Sequence, residues 1–207
     1  MTLFVGIMGV FCTPLVYANE RCRFTLPEKQ IVFLLDVSYS FSQIQLAASR
    51  AMIQKALLCK RKDQQIWVKT LLPSQIFELK DTMQGAKVLQ SIQRVSMLTN
   101  GLGDAITPAL TATDLPCDLE ALYILSDGWF HETSFYHDPE SPLNSVQYRH
   151  MLVDFYTLLE RFTALKTVYW RMMGTQHLFL EKAIKNTAHL YHFQSLYQKI
   201  KLDSALK

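Results

Sequence analysis

The sequence predicts a single α/β domain with a doubly wound, mostly parallel central sheet and helices on both faces, a Rossmann-like architecture. Strand-like apolar runs alternate with amphipathic segments along the chain, which is the pattern of a parallel sheet with helical crossovers. Residues 31–35 are continuously apolar, as expected for a strand that is covered on both faces. A chain of 207 residues, of which 49% are apolar, suffices for one well-buried domain.

The individual elements follow from the spacing of the apolar residues. Strands are predicted where these residues run together or alternate, at 31–35, 65–71, 119–125, 167–173 and 190–193. Helices are predicted where they recur every three or four residues, at 43–58, 83–95, 105–112, 146–165, 178–188 and 195–205. Pro108 is compatible with its helix only in the first turn. Residues 98–104 are predicted as a glycine-containing turn and residues 129–145 as a long polar loop.

The first 18 residues carry no charged side chain and end in a small-residue cleavage site, which is typical of a secretory signal peptide. We therefore expect cleavage near Ala18 and a protein that is secreted, periplasmic or at the cell surface. An uncleaved membrane anchor is the alternative, because no Lys or Arg precedes the apolar run and its length is marginal for a bilayer. The predicted organisation is a signal peptide at 1–18, a lead-in at 19–29, one domain at 30–202 and a tail at 203–207.

The charge balance argues against several classes of partner. The formal net charge is +3 and is evenly spread, which favours neither nucleic acid nor an anionic membrane as a partner. We expect no insertion of the mature chain into a membrane. The sequence has no Gly-x-Ser-x-Gly elbow, phosphate loop or dinucleotide fingerprint, so it does not predict an enzyme.

Oxygen-bearing side chains follow two of the predicted strands. Asp36, Ser38 and Ser40 alternate directly after the first strand, and Asp127 follows the third. Because the carboxyl ends of parallel strands meet at one edge of the sheet, we expect these side chains to converge. Carboxylate and hydroxyl oxygens suit Mg²⁺ or another divalent cation. The alternatives are an ordinary helix N-cap after the first strand and an ordinary turn after the third.

These features resemble the von Willebrand factor type A domain and its metal-ion-dependent adhesion site. Residues 36–40 match the family's Asp-x-Ser-x-Ser loop in full, and residues 126–128 (Ser-Asp-Gly) resemble its third loop. Residues 180–193 also look like the family's last helix and strand. The resemblance implies Mg²⁺ held by Asp36, Ser38, Ser40 and Asp127, with a protein partner that supplies an acidic residue to the metal. It implies Mg²⁺-dependent protein–protein interaction or adhesion, and not catalysis.

The second loop of that family's site departs from the pattern here. The family usually has a Thr, then three residues, then Asp-Ala-Leu or a relative. Counting back from Asp104-Ala105 without a gap puts Asn100 in the place of that Thr. Either a one-residue insertion keeps Thr99 as the ligand, or Asn100 supplies an amide oxygen. Both are hard neutral oxygens that Mg²⁺ accepts, so the two alternatives remain open.

Two other functions compete with the adhesive one. The first is a structural subunit of a surface or secretion assembly whose metal loop is vestigial. The second is a haloacid-dehalogenase-like phosphatase, in which a nucleophilic Asp at a strand end is followed two residues later by an acidic Asp. Ser38 stands at that second position here, and a hydroxyl cannot serve as the acid near neutral pH.

Three cysteines remain once the leader is set aside: Cys22, Cys59 and Cys117. They cannot all pair within one chain. We expect all three at the end of the domain opposite the metal loops, where one disulfide is compatible with an oxidising compartment. Which pair would form does not follow from the sequence, and three unpaired buried thiols are the alternative.

Overall fold

The computed structural model describes residues 22, 26–71, 73–95, 102–127, 142–172 and 177–204. The strands are β1 (Gln30–Leu35), β2 (Gln65–Thr70), β3 (Gln75–Glu78), β4 (Ala121–Ser126), β5 (Thr167–Met172) and β6 (Ile200–Ser204). The helices are α1 (Gln43–Leu58), α2 (Thr82–Ser91), α3 (Leu102–Thr111), α4 (Pro142–Leu159), α5 (His177–Leu190) and α6 (Gln194–Tyr197). The predicted signal peptide at 1–18 lies outside these ranges.

The strands form one six-stranded sheet in the order β3-β2-β1-β4-β5-β6. β1 pairs in parallel with both β2 and β4, and the parallel pairing continues through β5 to β6. β3 runs antiparallel to β2 at one edge. The predicted α/β class with a mostly parallel central sheet is therefore confirmed. The strand order reverses between β1 and β4, which is where sheets of this kind bind their ligands.

Helices flank the sheet on both faces, as predicted. Ile31, Phe33 and Leu35 of β1 pack with residues of α1 and α2 on one face. Val32 and Leu34 pack on the other face with residues of α3, α4 and α5. Every residue from 31 to 35 is buried, which explains why this strand has an unbroken apolar sequence and no alternating one.

A reciprocal pair of hydrogen bonds fixes the start of α1. The Ser42 hydroxyl accepts from the Gln45 backbone N–H at 3.2 Å, and the Gln45 side-chain oxygen accepts from the Ser42 N–H at 2.6 Å. This is a capping box, which satisfies two backbone donors at once. The first turn therefore begins at residue 43, as predicted, and the loop that follows β1 ends at Ser42.

The last elements of the chain differ from the prediction. The strand predicted at 190–193 is wrong: Leu190 ends α5, and His192 adopts a positive φ of 64°, which turns the chain away from the helix axis. The helix predicted at 195–205 is also wrong, because its first part forms only the short α6 and its second part forms β6.

The alternation of side chains in β6 explains this second error. Ile200 and Leu202 pack against the core on the α5 face, while Lys201 lies between them and is exposed. A two-residue period combined with pairing to β5 outweighs the helical spacing of the apolar residues. The strand runs through Ser204, two residues into the segment that the sequence assigns to the tail.

Smaller differences concern the ends of elements. The sequence does not predict β3, a four-residue edge strand whose turn is closed by the Gln75 N–H donating to Thr70 Oγ1 at 3.1 Å. α2 ends at Ser91 and not at 95, because the backbone is extended from Ile92. α4 ends at Leu159 and not at 165, and it begins at Pro142, so the last four residues of the predicted loop 129–145 are helical. The rest of that loop lies outside the described residues.

The sequence led us to expect Pro108 in the first turn of its helix, but Pro108 lies further along the helix. α3 begins at Leu102, which makes Pro108 its seventh residue. The proline ring removes one intrahelical hydrogen bond. Burial of Ile106, Ala109 and Leu110 against the sheet offsets this cost. None of the helices within the described ranges is both long and apolar enough to cross a bilayer.

Cys22, Cys59 and Cys117 all lie within the described residues, and none of the three is part of a disulfide. Cys59 is buried at the end of α1, and the exposed Cys22 thiol donates to the Leu58 carbonyl at 3.6 Å. Cys117 is exposed in the connection from α3 to β4. Each precedes the amino end of a strand, so all three lie at the end of the sheet opposite Asp36 and Asp127, as predicted. Two of the three are exposed, which the alternative of three buried thiols does not match.

We expect Tyr169 of β5 to keep its proton to unusually high pH. Burial, a 2.7 Å hydrogen bond from its hydroxyl to Asp203 Oδ2 and the negative charge of Asp203 together raise the pKa of Tyr169 to about 12. In the unfolded chain the phenol titrates at about 10. The folded state therefore binds this proton more tightly. The resulting stabilisation is fully present below about pH 10 and is lost as the pH rises through about 12.

The variant Asp203→Asn should bring this pKa down toward the unfolded value, because the amide carries no negative charge. The measurement is a pH titration of the tyrosine ring carbons by NMR. Asp63→Asn is the control, because it makes the same change on an exposed side chain just before β2, three strands away from Tyr169. It should leave the titration unchanged. An identical Tyr169 titration in wild type and Asp203→Asn would show that Asp203 is not the cause.

Candidate functional site

The carboxyl ends of β1 and β4 bring two acidic side chains together. Leu35 is in register with Leu125, and the Asp36 N–H donates to the Leu125 carbonyl at 2.9 Å. Asp36 therefore lies opposite Ser126, and Asp127 is one residue further along. With strands about 4.8 Å apart and a rise of about 3.3 Å per residue, the two aspartate Cα atoms are about 6 Å apart. The register of β1 and β4 therefore places Asp36 and Asp127 near each other along the same edge of the sheet.

Both carboxylates are buried. Asp36 is 3% exposed and Asp127 is 2% exposed. Burial raises the pKa of Asp36, whereas hydrogen bonds from the Ser38 backbone and hydroxyl and from the Ser126 side chain act in the opposite direction. Burial is the larger effect, so the pKa lies above its ordinary value. Two buried acidic groups at neighbouring strand ends favour either a shared proton or a bound cation.

The loop after β1 arranges its serines around Asp36. The Ser38 N–H donates to Asp36 Oδ1 at 2.8 Å, and the Ser38 and Ser40 hydroxyls are 3.0 Å apart, within hydrogen-bonding distance. The side chain of Val37, which lies between Asp36 and Ser38 in the sequence, is buried, whereas Ser40 is exposed. The three side chains predicted as ligands in this loop therefore form one connected group, open to solvent on the Ser40 side.

The segment that follows α2 holds this loop in place. The Val95 N–H donates to the Val37 carbonyl at 2.8 Å. The Arg94 guanidinium donates to the Tyr39 carbonyl, and its carbon lies 5.3 Å from the centre of the Tyr39 ring, in a cation–π contact. Residues 92–95 thus connect the first loop of the site to the chain that continues toward residue 99.

Large apolar side chains border the site. Tyr39 is 55% exposed and Ile44, in the first turn of α1, is 82% exposed. Tyr39 lies between Ser38 and Ser40 in the sequence, and Ile44 follows Ser40 by four residues. Exposed apolar side chains beside a polar centre are typical of surfaces that bind another protein.

The sequence interpretation included Ser126 in the Ser-Asp-Gly motif without giving it a role, and it did not name Arg94. Ser126 could have been found by aligning the ends of β1 and β4 as neighbours, because a parallel register places it opposite Asp36. Arg94 carries no such signal, since its contact with Tyr39 depends on how residues 92–95 leave α2. Thr99 and Asn100, the alternatives for the second loop, lie outside the described residues.

The side chains of the candidate site offer only oxygen atoms as possible metal ligands. Within the described ranges no three His, Cys, Asp or Glu side chains come together. The set around Asp36 is of a different kind, with two carboxylates and two hydroxyls, which are the ligand types of Mg²⁺ and not of Zn²⁺. The residues present therefore fit a hard divalent cation.

No protein-family model matches this chain, and no curated protein matches its sequence. The resemblance to the von Willebrand factor type A domain consequently stays a prediction that depends on residues 36–40 and 126–128.

Proposed function

We propose that the protein binds Mg²⁺, or another divalent cation, through Asp36, Ser38, Ser40 and Asp127, with Thr99 or Asn100 as a further ligand. The observation that carries this proposal is the pair of buried carboxylates at adjacent strand ends, at the position where the strand order reverses. A dication balances the two negative charges, and the hydroxyls add oxygens without adding charge.

The function we infer is Mg²⁺-dependent protein binding or adhesion, without catalysis. Mg²⁺ takes about six oxygen ligands and retains water, so a bound ion would supply an electrophilic position for an acidic residue of a partner protein. The exposed Ser40 side of the group leaves room for that residue, and Tyr39 and Ile44 offer the apolar area around it. We place this activity outside the cytoplasm, at the cell surface, in the periplasm or in the medium, after removal of residues 1–18.

A selection of displayed random peptides tests this function directly. Peptides are captured on the immobilised protein in Mg²⁺ and released with EDTA. We expect the released peptides to contain Asp or Glu and to bind much more weakly when that residue is changed to Asn or Gln, because a neutral amide oxygen attracts the cation less strongly than a carboxylate does.

The control for this selection is the same procedure on an Asp36→Ala column. We expect it to yield no EDTA-released peptides, although peptides bound elsewhere should still be recovered. EDTA-released peptides that lack acidic residues, or their equal recovery from the Asp36→Ala column, would refute the proposed role.

A further inference from the structure

A cleft of about 460 Å³ lies on the sheet face that carries α1, beyond that helix. Tyr123 of β4 and Tyr169 of β5 form its floor, and Met52 of α1 is on its wall. Within the described part of the chain, α1 and α2 pack on this face near β1 and β2, whereas α3, α4 and α5 cover the other face. The cleft is therefore the part of this face, over β5 and β6, that no described helix covers.

One end of the cleft holds a buried carboxylate. Glu28, just before β1, is 5% exposed and lines the cleft. Among the described residues, its Oε2 atom is buried and has no hydrogen-bond partner. Burial, and next the negative charge of Glu28, raise the pKa of Tyr123, and both residues line the cleft. A buried acceptor of this kind favours a ligand that brings a charged donor.

The other end carries a net positive charge, with Asp203 of β6, in register with Arg171, as the acidic residue beside it. Arg171 lies two residues beyond Tyr169 on the same face of β5, and Lys201 of β6 is in register with Tyr169. Arg171 contacts Met52 Sδ at 3.5 Å, while its Nε atom is buried and has no hydrogen-bond partner in the described ranges. Lys55 of α1 adds a further cation on the wall. This end therefore suits a carboxylate.

The two ends are separated by the tyrosine floor. The ring centres of Tyr123 and Tyr169 are 5.4 Å apart. Glu28 precedes the amino end of β1, whereas Arg171 lies near the carboxyl end of β5, so the two charged residues come from opposite ends of parallel strands. A ligand that meets both charges must therefore carry its own charges further apart than a free amino acid does. An extended peptide of two or three residues separates its terminal charges by about 7–10 Å.

We propose that this cleft binds a short peptide of two or three residues with free termini and an apolar side chain. The peptide's amino group is recognised by Glu28, its carboxylate by Arg171 and Lys201, and its side chain packs on the rings of Tyr123 and Tyr169. This site is distinct from the Asp36 site, which lies at the carboxyl ends of the strands, and it requires no metal.

Three matched probes test the proposal by calorimetry or NMR titration of the full chain: the tripeptide Ala-Phe-Ala, its N-acetylated form and its C-terminal amide. We expect the unmodified tripeptide to bind at least about 10-fold more tightly than either modified form, because each modification removes one charge contact of about 1.4 kcal/mol or more. EDTA should leave the affinity unchanged, which separates this result from the proposed metal-dependent function.

Substitutions at each end of the cleft test which terminus of the peptide that end recognises. Glu28→Gln should remove the preference over the acetylated form only, and Arg171→Met the preference over the amide only. Lys201→Met, at an exposed position, repeats the second test if Arg171→Met does not fold. Glu78→Gln and Lys87→Met change exposed charges outside the cleft and should bind all three probes as the wild type does. Absence of binding by Ala-Phe-Ala, equal binding of the three probes, or preferences that survive in Glu28→Gln and Lys201→Met would each overturn the proposal.

Discussion

Asp36→Asn and Asp127→Asn are each expected to reduce the affinity for Mg²⁺ at least about 100-fold, since even residues that only orient metal ligands contribute about 10- to 100-fold. In the wild type, Mg²⁺ at about 100 times its dissociation constant should raise the free energy of unfolding by about 2.7 kcal/mol. Neither variant should show this stabilisation. The measurement is urea unfolding in Mg²⁺ and in EDTA at matched ionic strength.

The metal-free behaviour of the variants separates loss of a ligand from damage to the fold. Because burial is the main reason why the pKa of Asp36 is raised, the neutral amide should leave Asp36→Asn at least as stable as wild type in EDTA. Asp118→Asn makes the same change at an exposed position at the opposite end of the sheet, and should keep the full response to Mg²⁺. A wild-type protein whose unfolding is identical in Mg²⁺ and EDTA would rule out the metal site.

Asp114→Ala should cost about 3 kcal/mol of unfolding free energy, the lower end of the range for breaking a buried ion pair. Lys69 of β2 has a fully buried ammonium group, 2.5 Å from Asp114 Oδ1. The Asp114 side chain is 41% exposed, so its own solvation is largely retained. The cost therefore comes from leaving the Lys69 charge without its partner. Urea unfolding measures the change.

Removing the buried charge itself should be far less harmful. Lys69→Met keeps the length and apolar stem of the side chain, and we expect a change within about 1 kcal/mol. In the Lys69→Met background, Asp114→Ala should then cost little. The double-mutant cycle should therefore give a large coupling energy between Lys69 and Asp114. Asp63→Ala breaks an exposed contact with Arg61 and should cost less than about 1 kcal/mol. Equal losses for Asp114→Ala and Asp63→Ala would contradict this account.

The sequence was sufficient to predict the part of the candidate site whose position depends only on the strands β1 and β4. β1 and β4 are long apolar runs, and two such runs in an alternating α/β chain pair in parallel at the centre of the sheet. The residue after each strand must then lie at the same edge. The proximity of Asp36 and Asp127 follows from that geometry alone, whatever the family.

The remaining errors have physical causes. Residues 200–204 satisfy a helical pattern and a strand pattern equally well over so short a stretch, and pairing with β5 decides between them. β3 is four residues long and depends on a single turn closed by Thr70. The contact of Arg94 with Tyr39 joins residues that are 55 positions apart, so no local pattern indicates it.

The helix α1, which begins at the capping box of Ser42, also has an electrostatic effect on the strand ends. α1 starts immediately after the loop and has no acidic residue in its first turn. The aligned peptide dipoles of the helix therefore place about half a positive elementary charge at its beginning, on the side of the loop. This backbone potential lowers the free-energy cost of burying the two carboxylates at neighbouring strand ends.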